Sequence, residues 1–371
     1  MTAPLRVAVL GAGTVGREVV LALLERPDSL RTADGAPLEI RGVAVRDLAR
    51  AAAAGIPEAL LTDAPAHLVA DPEVDVIVEL MGGDEPARTL MAAALGAGKH
   101  VVTANKHVLA HHGLDLEAAA RRTGATLRFE AAVGGGTPVL GALALDLAAN
   151  RIDAVRGIVN GTTNLILTAM ASEGRDYAEV LAEAQRAGYA EADPVADVEG
   201  EDAANKLAIL ARQAFGWWLD VRTIERRPEL VSGGLGPAGI TGVTKADIAA
   251  AAEAGFAIKL IAAATRLEDG SVMAAALPSA VARSLPLGRT DGVLNRIEVD
   301  GVPVGRVAFS GPGAGGPATS SAVLGDLVAI ARGVGSTWAG HPAPAATVRA
   351  SRFETGEWLD GPSGLRYPVL R

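Results

Sequence analysis

The sequence contains no cysteine, which excludes disulfides, thiolate metal sites and every mechanism that passes through a thioester. An enzyme that oxidises an aldehyde to an acyl group with a cysteine nucleophile is excluded with them. Aromatic residues make up only 3% of the chain, and the one aromatic pair, Trp217-Trp218, reads as core or subunit contact rather than as a base- or sugar-stacking platform. Long apolar runs are missing too. Val7 to Leu10 runs straight into glycines instead of a signal-peptide core, and Phe256 to Ala264 is interrupted by Lys259, far below the roughly 20 residues of a membrane span. Basic charge is outnumbered, with 34 Lys and Arg against 43 Asp and Glu and a net charge of −9. With no Lys/Arg-rich run to neutralise a phosphate backbone, nucleic acid is excluded as a partner. The reading is a cytoplasmic globular protein.

At 371 residues, 49% of them hydrophobic, the chain is long enough for two cores. The first half alternates short β-rich runs with helical patterns, as βαβ units do around a parallel sheet. Strands are expected at Arg6 to Leu10, Glu39 to Val45, Val74 to Leu80, His100 to Thr103 and Thr126 to Glu130. Helices are expected near Val15 to Arg26, Asp47 to Ala54, Glu85 to Gly96 and Leu114 to Arg122. From about Ala131 the pattern changes to a glycine cluster, a helix from Pro138, a strand near Ile152 to Val159 and three helical stretches reaching Phe215. Strands then follow at Ile258 to Ala264, Val272 to Leu277 and Val293 to Val299, the last turning at Asp300-Gly301 into Val302 to Phe309. A glycine-rich loop, Gly311 to Gly316, opens a helix that Gly333 closes. This predicts an α/β fold: a Rossmann-type doubly wound parallel sheet at residues 1–132 with 310–333, a second α+β domain for substrate at 133–309, and an irregular tail, 334–371, packing on the body.

Gly11-Ala12-Gly13-Thr14-Val15-Gly16 follows the first strand and opens a helix, which is the setting a dinucleotide fingerprint requires. Gly11 permits the tight turn, Gly13 lets backbone approach a pyrophosphate, and Gly16 allows close helix packing. The amides of Thr14 and Val15 then face the phosphates at a helix N-terminus. After the second strand the residue is Arg46 instead of the acidic residue usual for NAD, and Arg46, with Arg50 one turn on, could pair with a 2′-phosphate. Both also read as solvated surface charge, so NADP is favoured and NAD stays open.

Thr103-Ala104-Asn105-Lys106 places a lysine just past a strand, at the carboxyl edge where open sheets bind ligands. Asp202 and Lys206 are four apart on one helix face. A lysine ammonium there can protonate a developing alkoxide, although spacing alone favours an exposed salt bridge of a few tenths of a kcal/mol. His107 and His111 share a helix face, but no carboxylate motif accompanies them, and His107 is placed near the cofactor only by its neighbour Lys106.

Taken with Glu79-Leu-Met-Gly-Gly83, Glu130 to Gly136, Gly157 to Asn164 and Gly188 to Pro194, these segments resemble the homoserine dehydrogenase family from Val7 to about Gly333. The resemblance implies NAD(P)-dependent interconversion of aspartate semialdehyde and homoserine, in threonine and methionine biosynthesis. It implies Lys206 as proton donor and Lys106 as second catalytic lysine, Glu191 and Asp202 on homoserine, and Thr103, Lys106, Gly188 and Gly313 at the cofactor. It further implies a monovalent cation, sodium, held by Glu130, Val133, Gly135 and Thr137, and a homodimer built through the second domain. Many members continue into a regulatory domain; the stretch after Arg332 is too short to fold as one alone, so escape from allosteric control by threonine is expected. Two alternatives remain open at this point: another Rossmann-type amino-acid dehydrogenase, and a non-catalytic dinucleotide-binding redox sensor.

Overall fold

The computed structural model describes residues 4–26 and 29–371. They fall into two units, Met1–Ala148 with Ala314–Ala346, and Ala149–Gly313 with Thr347–Arg371.

In the first unit, runs such as Val7–Leu10 and Val76–Val78 are wholly buried, because helices cover both faces of a parallel sheet. Strands β1 (Leu5–Leu10), β2 (Leu38–Ala44), β3 (Leu61–Thr62), β4 (Val76–Glu79), β5 (His100–Thr103) and β6 (Leu127–Arg128) pair in the order β3-β2-β1-β4-β5-β6, all parallel. Strand order reverses between β1 and β4, and ligands of open sheets bind outside the carboxyl ends at such a point. The helices are α1 (Thr14–Glu25), α2 (Leu48–Ala53), α3 (Pro65–Ala70), α4 (Ala87–Gly96), α5 (Lys106–Thr123) and α6 (Leu140–Ala144). Helix α5 starts well before the expected Leu114, since the Asn105 side chain accepts from the Val108 amide at 3.1 Å and caps it.

The second unit carries α7 (Gly161–Glu173), α8 (Tyr177–Arg186), α9 (Val195–Val198), α10 (Glu201–Phe215) and α11 (Lys245–Glu253). Its sheet comprises β7 (Arg151–Ile158), β8 (Phe256–Arg266), β9 (Val272–Ala282), β10 (Leu294–Val302), β11 (Gly305–Pro312), β12 (Trp358–Asp360) and β13 (Arg366–Leu370), in the order β11-β10-β7-β8-β9-β13-β12. Pairing is antiparallel except between β13 and β9. Helix α10 is buried from Asp202 through Phe215 and lies against β7, β8 and β9, its alanines allowing close approach on every side. Between β11 and the tail the chain returns to the first unit as α12 (Gly316–Ala331), which packs on α1.

Three features differ from the sequence reading. The β10–β11 turn lies at Val302 to Gly305, with Gly301 opposite Gly305. Asp300-Gly301 lies instead within β10 at a register shift against β7; Pro303, with no N–H to donate, makes the better break. The tail is not irregular, because β13 adds to the edge of β9 and buries Tyr367 completely. Its apolar alternation is too short to stand out in sequence. Residues 133–148 and 334–346 lie with the first unit, and 310–313 and 347–371 with the second. Among the described residues no helix is long and apolar enough to cross a membrane.

Candidate active site

The turn after β1 is shaped by backbone crowding. Gly11 has φ +98, and a Cβ there would meet the Leu80 carbonyl oxygen at 2.7 Å. A Cβ on Gly16 would lie 1.9 Å from the Gly11 carbonyl oxygen, whereas one on Gly13 would meet nothing within 4 Å. Two glycines thus close the turn and the third leaves open space over it. Gly13 is the N-cap of α1 and offers no capping side chain, so the first-turn amides at Thr14 and Val15 keep their capacity for an anion. Gly316 of α12 lies against Thr14, where an added Cβ would be 3.0 Å from its carbonyl oxygen. This cradle fits a dinucleotide pyrophosphate.

The ends of β4 and β5 are joined by a carboxylate that sequence reasoning did not single out. Glu79 is fully buried; its side chain accepts from the Met81 and Gly82 amides at 2.8 and 3.2 Å and from the Thr103 hydroxyl at 2.7 Å. Burial pushes the Glu79 carboxyl up, against the donors that pull it down. The Thr103 hydroxyl is therefore committed to the protein, and it also accepts from the Asn105 amide at 2.9 Å. Asn105 reaches back to the Gly83 carbonyl at 2.8 Å. Lys106 follows as the first, half-buried residue of α5. At the end of β2, Arg46 is exposed, and its side chain has no partner among the described residues, while Asp47 caps α2 through the Arg50 amide at 2.9 Å.

In the second unit, Lys206 and Asp202 are not a surface pair. Lys206 Nζ donates to Asp202 Oδ2 at 2.8 Å and to the Val159 carbonyl at 2.7 Å, with side-chain exposures of only 11% and 5% for the two partners. The solvated reading of this i,i+4 spacing is thereby removed. Asn160 donates to both Asp202 and Asp197, at 2.7 Å each; neither Asn160 nor Asp197 was assigned a role from sequence. Glu191 is exposed in the loop after α8, and its carboxylate has no partner among the described residues. Gly188 ends α8. Gly313 is packed so tightly on Asn295 that a Cβ would come 2.3 Å from that amide.

The loop after β6 gathers Glu130, Val133, Gly135 and Thr137. Glu130 Oε1 accepts from the Val139 and Leu140 amides at 2.8 and 2.9 Å and Oε2 from Gly141 at 2.5 Å, so this carboxylate caps α6. Burial, with Asp326 nearby adding to it, pushes the Glu130 carboxyl up to about 7 against those three donors. Asp326 of α12 is itself buried, accepting from Arg128 at 2.7 Å and from the Glu130 amide at 2.8 Å. The Thr137 carbonyl is taken by the Val139 amide at 3.0 Å, while its buried hydroxyl has no partner. The carbonyls of Val133 and Gly135 accept no hydrogen bond among the described residues. Buried, unpaired oxygens of this hardness fit a small cation.

A dinucleotide cradle at a doubly wound sheet, and a buried lysine held by a carboxylate and a carbonyl, together define a nicotinamide-dependent oxidoreductase. Comparison with known proteins narrows this. A homoserine dehydrogenase family model matches residues 138–328, and the model of that family's NAD-binding domain matches residues 11–130. The chain is 47% identical to the homoserine dehydrogenase of Corynebacterium glutamicum over 88% of its own length and 72% of that protein's. Its fold is similar to a homoserine dehydrogenase from Thiobacillus denitrificans, with TM-score 0.82 and 41% identity over 89% of this chain and 74% of that one. It is also similar to a hyperthermophilic archaeal homoserine dehydrogenase solved in complex with NADPH, with TM-score 0.71 and 26% identity over 88% of this chain and 97% of that one. The chain belongs to the homoserine dehydrogenase family. It is an oxidoreductase acting on a small molecule with a nicotinamide cofactor.

Proposed function

We propose that Lys206 is the acid/base in the interconversion of L-aspartate 4-semialdehyde and L-homoserine. The observation that carries this is the buried geometry of its ammonium, 2.8 Å from Asp202 and 2.7 Å from the Val159 carbonyl. A buried ion pair adds little stability over apolar packing, so stability alone does not account for this one. When bound, the nicotinamide supplies or accepts the hydride. Lys206 gives its proton to the oxygen of the forming alcohol and recovers it in the reverse direction. Asp202 balances the lysine charge and faces the substrate, Lys106 stabilises charge developing on the carbonyl, and Glu191 meets the substrate ammonium. The β1–α1 turn, from Gly11 through Gly16, holds the pyrophosphate, with Thr103, Gly188 and Gly313 contributing through backbone.

The preferred cofactor is NADP, through Arg46, and Glu130, Val133, Gly135 and Thr137 hold a monovalent cation, sodium. Unpartnered Arg46 supports the first reading, and the Thr137 hydroxyl with the two unengaged carbonyls supports the second. A homodimer through the second unit is supported by β11, an edge strand whose residues alternate between exposed and half-buried; a sedimentation mass of one chain would refute it.

Initial rates with homoserine test the assignment. NADP is expected to give the lower KM, and replacing sodium by choline is expected to depress the rate. In Arg46→Ala the KM for NADP should rise roughly 10-fold or more, the scale of one charge-assisted hydrogen bond, with the KM for NAD unchanged. Equal losses for both cofactors would assign Arg46 to folding, an unchanged rate in choline would remove the cation, and no homoserine-dependent reduction would overturn the function.

A further inference from the structure

Asn160 is the residue immediately before α7, and it is buried, at 5% exposure. Its amide oxygen accepts from the Thr163 backbone N–H at 2.8 Å and from the Thr163 hydroxyl at 2.9 Å. Its amide nitrogen donates to Asp197 Oδ1 and Asp202 Oδ2, both at 2.7 Å. Two donors and two lone pairs are all the group has, so its orientation is fixed: the oxygen faces the helix and the nitrogen faces the carboxylates.

Capping α7 does not by itself explain an asparagine, because serine and aspartate cap as well. Only asparagine carries two N–H donors opposite the capping oxygen. The same Asp202 oxygen that takes one of those donors takes Lys206 Nζ at 2.8 Å, and Lys206 also donates to the carbonyl of Val159, the neighbour of Asn160. The β7–α7 junction therefore holds both members of the ion pair. The charged groups bonded to this junction include Asp197 from α9 and Asp202 and Lys206 from α10. Asn295 from β10 adds an uncharged donor to the Val159 carbonyl at 3.2 Å.

We propose that Asn160 is a positioning residue for the reaction: capping α7 and bridging Asp197 to Asp202, it aims the Lys206 ammonium for proton transfer. The proposal rests on the assignment of Lys206 as acid/base. Two variants keep the cap and remove the bridge. Asn160→Ser is neutral and too short to reach both carboxylates. Asn160→Asp puts a third negative charge beside Asp197 and Asp202, which disfavours carboxylate ionisation and favours the ammonium.

The test is full-chain kinetics with homoserine and NADP on Asn160→Ser, Asn160→Asp and Lys206→Met, with thermal unfolding alongside. Asn160→Ser should lose roughly 10²-fold in kcat, the scale of a misplaced catalytic group, with KM for NADP unchanged. Asn160→Asp should in addition move the pH profile of kcat for homoserine oxidation to higher pH, since the neutral lysine needed as base forms later. Should Asn160→Asp not fold, the Asn160→Ser result decides. An inactive Lys206→Met beside wild-type kcat in Asn160→Ser, or beside an unshifted profile in Asn160→Asp, overturns the positioning role alone. An active Lys206→Met overturns the lysine assignment and this proposal with it.

Discussion

Lys206→Ala is expected to lower kcat roughly 10²–10⁴-fold, the usual contribution of general acid–base catalysis, while the Kd of NADP stays close to that of the parent enzyme. The geometry separates the two quantities, since the ammonium donates to two groups of the second unit, Asp202 and the Val159 carbonyl. Removing one partner of a buried pair costs about 3–5 kcal/mol where the remaining charge is left alone. Here Asp202 keeps the Asn160 donor, so the cost should fall below that range and the folded enzyme should remain measurable. Calorimetric binding of NADP by the variant checks the fold and the cofactor site together. A variant retaining most of its kcat would exclude Lys206 as the acid/base.

The second large effect is expected at the glycine turn, where two substitutions of identical chemistry should behave differently. In Gly16→Ala the new methyl would sit 1.9 Å from the Gly11 carbonyl oxygen, an overlap only backbone movement relieves. Overpacking of this kind costs roughly 1–3 kcal/mol or more, so the melting temperature should fall and NAD and NADP should both bind at least 10-fold more weakly, on the scale of 1.4 kcal/mol per tenfold. In Gly13→Ala the methyl meets nothing within 4 Å. Stability should then be nearly unchanged while dinucleotide affinity falls, because the space the methyl fills is that of the approaching phosphates. Paired thermal melts and cofactor titrations check this. Unchanged affinity in Gly13→Ala would place the pyrophosphate elsewhere.

What the sequence made legible was local. The fingerprint from Gly11 to Gly16 could be read because its meaning lies in adjacent residues: a strand before, a helix after, glycines between. The Asp202–Lys206 spacing could be read as one helix face, but not as buried, because α10 also carries Asn205, Arg212 and Gln213, polar residues that suggest an exposed side and are in fact enclosed. Asn160 was illegible for a different reason. Its partners Asp197 and Asp202 lie 37 and 42 residues further on, so nothing local marks the amide as more than a helix cap. The hairpin turn was misplaced where two turn signals compete within a few residues, Asp300-Gly301 and Pro303, and the sheet partner β7 chose between them. At Thr137 the unengaged oxygen is the hydroxyl, the carbonyl being taken by Val139, and a sequence does not show which of the two is left over.

Helix α12 reaches the first unit only after the chain has passed through the second, and its Asp326 anchors Arg128 and the Glu130 amide. On a ribosome, therefore, the dinucleotide-binding unit emerges with a face of its sheet uncovered and waits for its last helix. At about 5–20 residues per second that wait is on the order of ten seconds or more, long compared with the folding of small domains. The second unit, synthesised in the interval, has time to organise its sheet from β7 to β11 first. Vectorial synthesis would then close the cofactor-binding unit after most of the second unit's sheet, to which only the edge strands β13 and β12 are added later.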